Sequence, residues 1–309
     1  MSLRTPSTTQ TRQALLDLER TNERLAQNQA RIASGNRLTS PGDDPTAAAS
    51  ILSFGNSIEA NTQYLKQADT AISFLKASED AVSGSIEHTM SLEELAQRGL
   101  FATTAAERTA MAPQVDAIRT MLLGLANTQV QGKFLFAGTQ TLGTAAHPLP
   151  FQDAAPPAGP INYWGDSGSI NLEVATNTSV STNIPGNTVF FGAGGQGSST
   201  DILQAVTDLR NGLTTNNTAL IQTASTNLKA VLDNLNQMRA DLGGRQAGLL
   251  SLKDTLSGFN ITLQDMQNTQ QSTDYPQAAT EYAQDQTIQA ATLSTLAKSN
   301  KTNLFDYIV

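Results

Sequence analysis

The chain has 309 residues and no cysteine. That excludes a disulfide framework, a thiolate zinc site and a thiol nucleophile. There are two histidines, His88 and His147, far apart in the chain, so no histidine cluster stands ready for a transition metal. Charge is sparse: 15% of residues are Asp, Glu, Lys or Arg, against roughly 25% in ordinary soluble proteins, and the net charge is −8. No basic block occurs, which removes the electrostatic footprint of a protein that binds nucleic acid or an anionic membrane surface. No apolar run reaches the length of a membrane-spanning helix. The start, MSLRTPSTTQTRQ, lacks the apolar centre of a cleavable secretory signal. Aromatics are 5%. Gln, Asn, Thr and Ser fill the polar positions instead. Helices with uncharged polar faces lie against other helices at low desolvation cost, a property suited to a protein that packs against copies of itself.

Most of the chain reads as helix. From about Thr11 to Ile32, Leu15, Leu18, Asn22, Leu25, Gln29 and Ile32 follow 3-4 spacing, a heptad seam with two polar members. This segment is too poor in apolar area to be stable alone, so it needs a partner. The stretch ASGNRLTSPGDDPTAAASIL then breaks the helix: Gly35 stops it, Pro41-Gly42 turn the chain, and Asp44 caps a helix whose first residue is Pro45. The next seam runs through Ile51, Phe54, Ile58, Asn61, Leu65, Ala68, Ile72, Leu75, Glu79, Val82 and Ile86 to about Gly99. A shorter helix follows through Val115, Ile118, Leu122 and Leu125, to about Gly132.

From Gly138 to Thr200 helical periodicity vanishes. Ile170, Leu172 and Val174 alternate like a half-buried strand, and Val189-Phe190-Phe191 reads as another. Ile184-Pro185-Gly186-Asn187 has the preferences of a type II turn. Helix resumes near Asp201. The clearest seam runs through Leu228, Val231, Leu235, Met238, Leu242, Arg245, Leu249, Leu252, Leu256, Phe259, Leu263 and Met266. Gly243-Gly244 interrupt it, at about 1 kcal/mol each relative to Ala, which a seam this long overrides. Pro276 breaks or kinks the helix. A last helix, about 278 to 299, carries Tyr282, Ile288, Leu293 and Leu296. The expected fold is mainly α: a long antiparallel helical bundle or coiled coil formed by the N- and C-terminal halves, with a small inserted β domain at its far tip. The expected divisions are terminal helices at 1–43 and 268–309, a body at 44–137 and 201–267, and the β insertion at 138–200.

Three stretches imitate catalytic or ligand sites. Gly192, Gly194 and Gly197 form G-x-G-x-x-G between an expected strand and a helix, as in a dinucleotide fingerprint. The parallel strand and acid that should follow are absent, and the stretch reads better as a Gly linker with Ser199 or Thr200 capping the next helix. TAAH at 144–147 and GDSG at 165–168 imitate serine-protease words, with Asp153 between His147 and Ser167. An insertion of about 60 residues cannot build the two barrels those words belong to, and Gly165-Asp166-Ser167-Gly168 reads as a hairpin turn. Asp43-Asp44 with Asn36 do not supply the alternating oxygens of a calcium loop. The residues point to no catalysis, no metal and no cofactor.

RIASGNRLTSPGDDPTAAASIL resembles the N-terminal signature of the flagellin superfamily: helix, S-G-x-R turn, acidic pair, Ala-rich helix start. Gly132-Lys133-Phe134-Leu135-Phe136-Ala137-Gly138-Thr139 and the C-terminal Asn303-Leu304-Phe305-Asp306-Tyr307 look more like a subunit of the hook–filament junction than like flagellin itself. The likeness covers about 1–140 and 200–309. It implies a structural, self-assembling protein of the bacterial flagellum, with terminal helices forming an inner tube. The implied partners are neighbouring copies, hook-associated protein 1 on the hook side, flagellin on the filament side, and an export chaperone with the type III export apparatus. The implied location is extracellular, reached without a cleavable signal peptide. The residues expected to pair helices and assemble are Leu15, Leu18, Leu25, Ile32, Leu249, Leu252, Leu256, Phe259, Leu263, Met266, Leu293 and Leu296. Gly35, Arg37, Pro41, Gly42, Asp43 and Asp44 form the expected turn between helices.

Overall fold

A computed structural model describes residues 5–154 and 159–305. Asp306 and Tyr307 of the C-terminal motif lie outside the described residues. In chain order the elements are α1 (Thr5–Ser34), α2 (Pro45–Phe101), α3 (Ala105–Ala126), six short strands β1 (Gln129–Val130), β2 (Lys133–Phe134), β3 (Phe151–Asp153), β4 (Ile161–Tyr163), β5 (Asn171–Ala175) and β6 (Thr178–Ser181), then α4 (Ile202–Thr214), α5 (Thr218–Gln271) and α6 (Tyr275–Phe305). The chain divides into two compact units, 1–60 with 258–309, and 61–257. Among the described residues no helix is long and apolar enough to cross a membrane.

In the 61–257 unit, α2 and α5 run antiparallel. Glu93 pairs with Lys229 at 3.7 Å, Gln97 donates to Ser225 at 3.1 Å, Gln246 donates to Glu79 at 2.9 Å, and Lys253 pairs with Asp69. As one residue number rises the other falls. Heptad positions of α5 are buried where expected: Leu228, Val231, Leu235, Leu242 and Leu249 are at most 1% exposed. The helix runs unbroken through Gly243-Gly244. On α2 the expected Ala68, Leu75, Val82 and Ile86 are buried, and the seam departs from expectation only between them. It takes Ala71, Leu75, Ser78, Val82, Ser85 and Thr89, leaving Ile72 and Glu79 partly buried at its flank. Hydroxyls are what made this stripe look polar. Each is satisfied within its own helix, since Ser78, Ser85 and Thr89 donate to the carbonyls of Phe74, Ala81 and Ser85.

α3 begins at a capping box: Thr104 accepts from the Glu107 amide, and the Glu107 carboxylate accepts from the Thr104 amide. It ends at Ala126, short of the expected Gly132, where the hairpin β1–β2 starts. The region up to β6 consists of three separate two-stranded antiparallel hairpins, β1–β2, β3–β4 and β5–β6. Two strands cannot bury a face alone, so aromatics supply the local core. Phe136 and Phe151 each meet Phe190 edge-on at 5.2 Å, and Phe151 also meets Phe191 at 5.9 Å.

Several local expectations are corrected here. Val189-Phe190-Phe191 is not a strand but part of a π-helical turn, Asn187–Phe191, which turns all three side chains into the aromatic core. Gly186 has φ −65°, which a type II turn forbids at that position. A Cβ there would lie 2.4 Å from the Phe136 carbonyl oxygen, so glycine is needed for close approach. Gly165-Asp166-Ser167-Gly168 connects two hairpins instead of closing one. Asp166 accepts from the amides of Thr139 and Gly168 at 2.7 and 2.8 Å. The cap of α4 is Asp201, not Ser199 or Thr200.

In the other unit, α1 and α6 pair antiparallel, with Asn22 against Gln289 and Asn28 against Asp285. Pro276 stands in the first turn of α6, which starts at Tyr275; α5 has already ended at Gln271.

Candidate functional site

The corner between α1 and α2 is built from local chemistry. Gly35 leaves α1 with φ +72°, and a Cβ there would lie 2.8 Å from the Tyr275 hydroxyl. The chain then pairs with the α5–α6 connection: the Thr273 amide donates to the Gly35 carbonyl at 2.9 Å, and the Arg37 amide donates to the Gln271 carbonyl at 2.7 Å. The Arg37 guanidinium reaches the Asp44 carboxylate and the Gln270 carbonyl, both at 3.3 Å. It thereby ties the start of α2 to the electronegative end of α5. Asp44 is the N-cap of α2, accepting from the Ala47 amide at 3.0 Å. Asp43 serves a different turn. Its Oδ2 accepts from the Thr39 amide, the Thr39 hydroxyl and the Ser40 amide at 3.0, 2.9 and 2.9 Å. Pro41 and Gly42 sit in that turn, closed by the Asp43 amide donating to the Ser40 carbonyl at 3.0 Å. These bonds hold both carboxyls below the usual aspartate range, chiefly through the Ser40 amide for Asp43 and the Ala47 amide for Asp44. Each carboxylate is occupied by its own turn, so the two do not act as a pair.

The apolar residues expected at the seams fall into two groups. Leu249 and Leu256 are buried, and Leu18, Leu25, Ile32, Leu252, Leu263 and Leu296 are half-buried. Leu15, Phe259, Met266 and Leu293 are 53%, 58%, 48% and 49% exposed. The α1 seam that meets α6 is Ala14, Leu18, Thr21, Leu25, Asn28 and Ile32, so Thr21 and Asn28 are buried where Asn22 and Gln29 were expected. On α6 the facing positions are Ala278, Tyr282, Asp285, Gln289, Thr292 and Leu296. Thr21, Asn28 and Asp285 escaped sequence reasoning because leucines drew the stripe one residue away. Arg24, one turn before Asn28 and able to reach a carboxylate on the facing helix, is the signal that could have found them.

The stretches that imitate sites are taken up by the fold. Asp153 pairs with Arg119, His147 stacks on Trp164 with ring centroids 3.5 Å apart, and Ser167 accepts from Asn187 at 2.9 Å. The three supposed triad members thus point to three different partners. In the glycine loop, Asp201 occupies the N-terminus of α4 where a phosphate would lie. It accepts from the Gly197, Leu203 and Gln204 amides at 2.7, 2.9 and 3.0 Å. Burial nevertheless raises its pKa. Among the described residues no group of three or more His, Asp or Glu is placed to hold a metal.

Residues 7–141 match the bacterial flagellin N-terminal helical region. The chain is 24% identical over 164 residues to flagellar hook-associated protein 3 of Escherichia coli K12, an alignment spanning 52% of this chain and 48% of that protein, about half of each. Its fold is shared with a flagellar hook-associated protein described from Vibrio parahaemolyticus (TM-score 0.66, 19% identity, 74% of this chain and 100% of that one). It is shared also with FlgL of Bacillus cereus (TM-score 0.58, 18% identity, 70% and 99%) and the flagellar junction protein FlgL of Legionella pneumophila (TM-score 0.56, 16% identity, 74% and 100%). Residues 7–141 of this chain are therefore similar to a bacterial flagellin N-terminal helical region, within a chain that is similar over about half its length to hook-associated protein 3.

Proposed function

We propose that the chain is a structural subunit of the bacterial flagellum that joins hook to filament by assembling with copies of itself. The observation that carries this reading is the row of heptad residues left open: Leu15, Phe259, Met266 and Leu293 are each about half exposed or more, although their spacing belongs to helix-pairing seams. Apolar seam positions left about half exposed are what a helical, non-closing assembly of subunits needs. The likeness to hook-associated protein 3 supports the place in the organelle. On this reading residues 1–43 and 268–309 belong to the inner tube. The neighbours are hook-associated protein 1 towards the hook and flagellin towards the filament. Export runs through the flagellar type III apparatus with a chaperone, and the role is not enzymatic.

Deletion of the gene tests this. Hooks should persist without filaments, with flagellin in the medium, and the intact gene should restore filaments. Normal filaments in the deletion strain would contradict the role. A second reading, a flagellin or minor filament subunit, is favoured by the match to the flagellin N-terminal region. Seeded polymerisation separates the two: a filament subunit grows long filaments, whereas a junction subunit does not.

A further inference from the structure

The seam between α1 and α6 buries a carboxylate. Asp285 is 6% exposed, Asn28 facing it is 5% exposed, and Thr21 is 3% exposed. Asn28 Nδ2 donates to Asp285 Oδ2 at 3.1 Å, and the Arg24 guanidinium lies 3.0 Å from Asp285 Oδ1. One turn further along α6, Gln289 Nε2 donates to Asn22 Oδ1 at 2.7 Å. We propose that these contacts are a register lock, which fixes the one alignment of α1 on α6 that the apolar residues do not fix.

The apolar pattern is nearly blind to a slip of one heptad. Leu18, Leu25 and Ile32 repeat at intervals of seven, so after a slip of seven residues α1 offers α6 one aliphatic side chain in place of another. The polar positions repeat only in part: Arg24 has Arg31 seven residues on and Asn22 has Gln29, whereas Asn28 has Thr21 behind it and Gly35 ahead. A slip in one direction carries Asp285 from Asn28 to Thr21, and from beside Arg24 to beside Asp17. The Thr21 hydroxyl is already committed to the Asp17 carbonyl at 2.7 Å, and Asp17 adds like charge. A slip in the other direction carries Asp285 to Gly35, past the end of α1 at Ser34, and exchanges Arg24 for Arg31. Either way the carboxylate loses the Asn28 amide, and in the first direction it also loses its guanidinium; stranding a buried charge is strongly unfavourable. A polar residue at a seam position exchanges stability for alignment. The corner hydrogen bonds at Gly35 and Arg37 hold one end of the pair; the lock sets the alignment of the rest.

The cysteine-free chain allows a direct test in the full-length protein. Asn22→Cys with Gln289→Cys reports the native register and leaves Arg24, Asn28 and Asp285 in place. Asn22→Cys with Tyr282→Cys, or with Leu296→Cys, reports slips of one heptad. In the parent background only the native pair should oxidise. Adding Asn28→Leu with Asp285→Leu makes the seam more apolar and should raise the slipped cross-links by about tenfold, with helix content by circular dichroism retained. Thr21→Leu should leave the cross-links unchanged. The exchange Asn28→Asp with Asp285→Asn restores a carboxylate–amide pair and should restore the single native cross-link. The proposal is overturned if the Asn28→Leu, Asp285→Leu protein gives only the native cross-link, or if the exchange protein slips as that one does.

Discussion

At Gly35 the backbone adopts φ +72° and the Tyr275 hydroxyl closes the space beside it. Gly35→Ala therefore meets two penalties, the left-handed backbone and a contact at 2.8 Å. It should lower the stability of the 1–60 and 258–309 unit by roughly 1–2 kcal/mol, read by urea unfolding, with Gly35→Asn milder. Asp43 and Asp44 give the same corner a pH dependence. Their folded pKa values lie below the ordinary 3.8, so their contribution is present above that value and is lost as pH falls from it through the lower folded values. Asp43→Asn combined with Asp44→Asn should flatten that acid-side loss. Tyr163 sets a limit on the alkaline side. Burial pushes its phenol up to about 12. The folded state thus holds that proton longer than the unfolded chain, so stability falls as pH rises above the ordinary value of 10. Absorbance at 295 nm should show one tyrosine titrating near 12 in the folded protein and with the rest after unfolding.

Among the elements, α5 shows best how a seam is divided between the chain and its neighbours. Leu235 is fully buried, and Leu235→Ala should cost about 2–5 kcal/mol of stability. Leu15→Ala, at a half-exposed position, should leave the monomer within about 0.5 kcal/mol, yet reduce assembly if the open seam is an interface. Chemical denaturation beside sedimentation reads both. Arg119, absent from the sequence reading, staples α3 to the β3–β4 hairpin through Asp153 and the Gly159 carbonyl. Arg119→Ala leaves a nearly buried carboxylate without its guanidinium and should destabilise that hairpin by roughly 3–5 kcal/mol, seen as faster amide exchange in β3 and β4. The long helices were legible because apolar period survives over many turns, as from Leu228 to Leu256. The cap Asp44 and the first-turn Pro45 were legible because their chemistry is local. The π-helical turn at Asn187–Phe191 was not: its three apolar residues look like a buried strand, and only the aromatic core of Phe136 and Phe151 decides between them. Thr21, Asn28 and Asp285 were missed because a partner on a distant helix makes a polar residue buriable, and periodicity within one helix carries no sign of that partner.

For the whole molecule, the two units answer different needs. The 61–257 unit has a contiguous core of aliphatics and aromatics. The 1–60 and 258–309 unit pairs its helices through Thr21, Asn28 and Asp285 and leaves Leu15, Phe259, Met266 and Leu293 open. Such a unit is suited to completing its burial against other subunits. The central claim is that the open positions are closed by neighbouring copies at the hook–filament junction. A cryo-electron microscopy map of that junction, from cells carrying this chain, tests it most directly. The account predicts a short band of this protein between hook and filament, with Leu15, Phe259, Met266 and Leu293 buried against adjacent copies. Density for the chain along the length of the filament, or those four side chains still facing water within the junction, would contradict it.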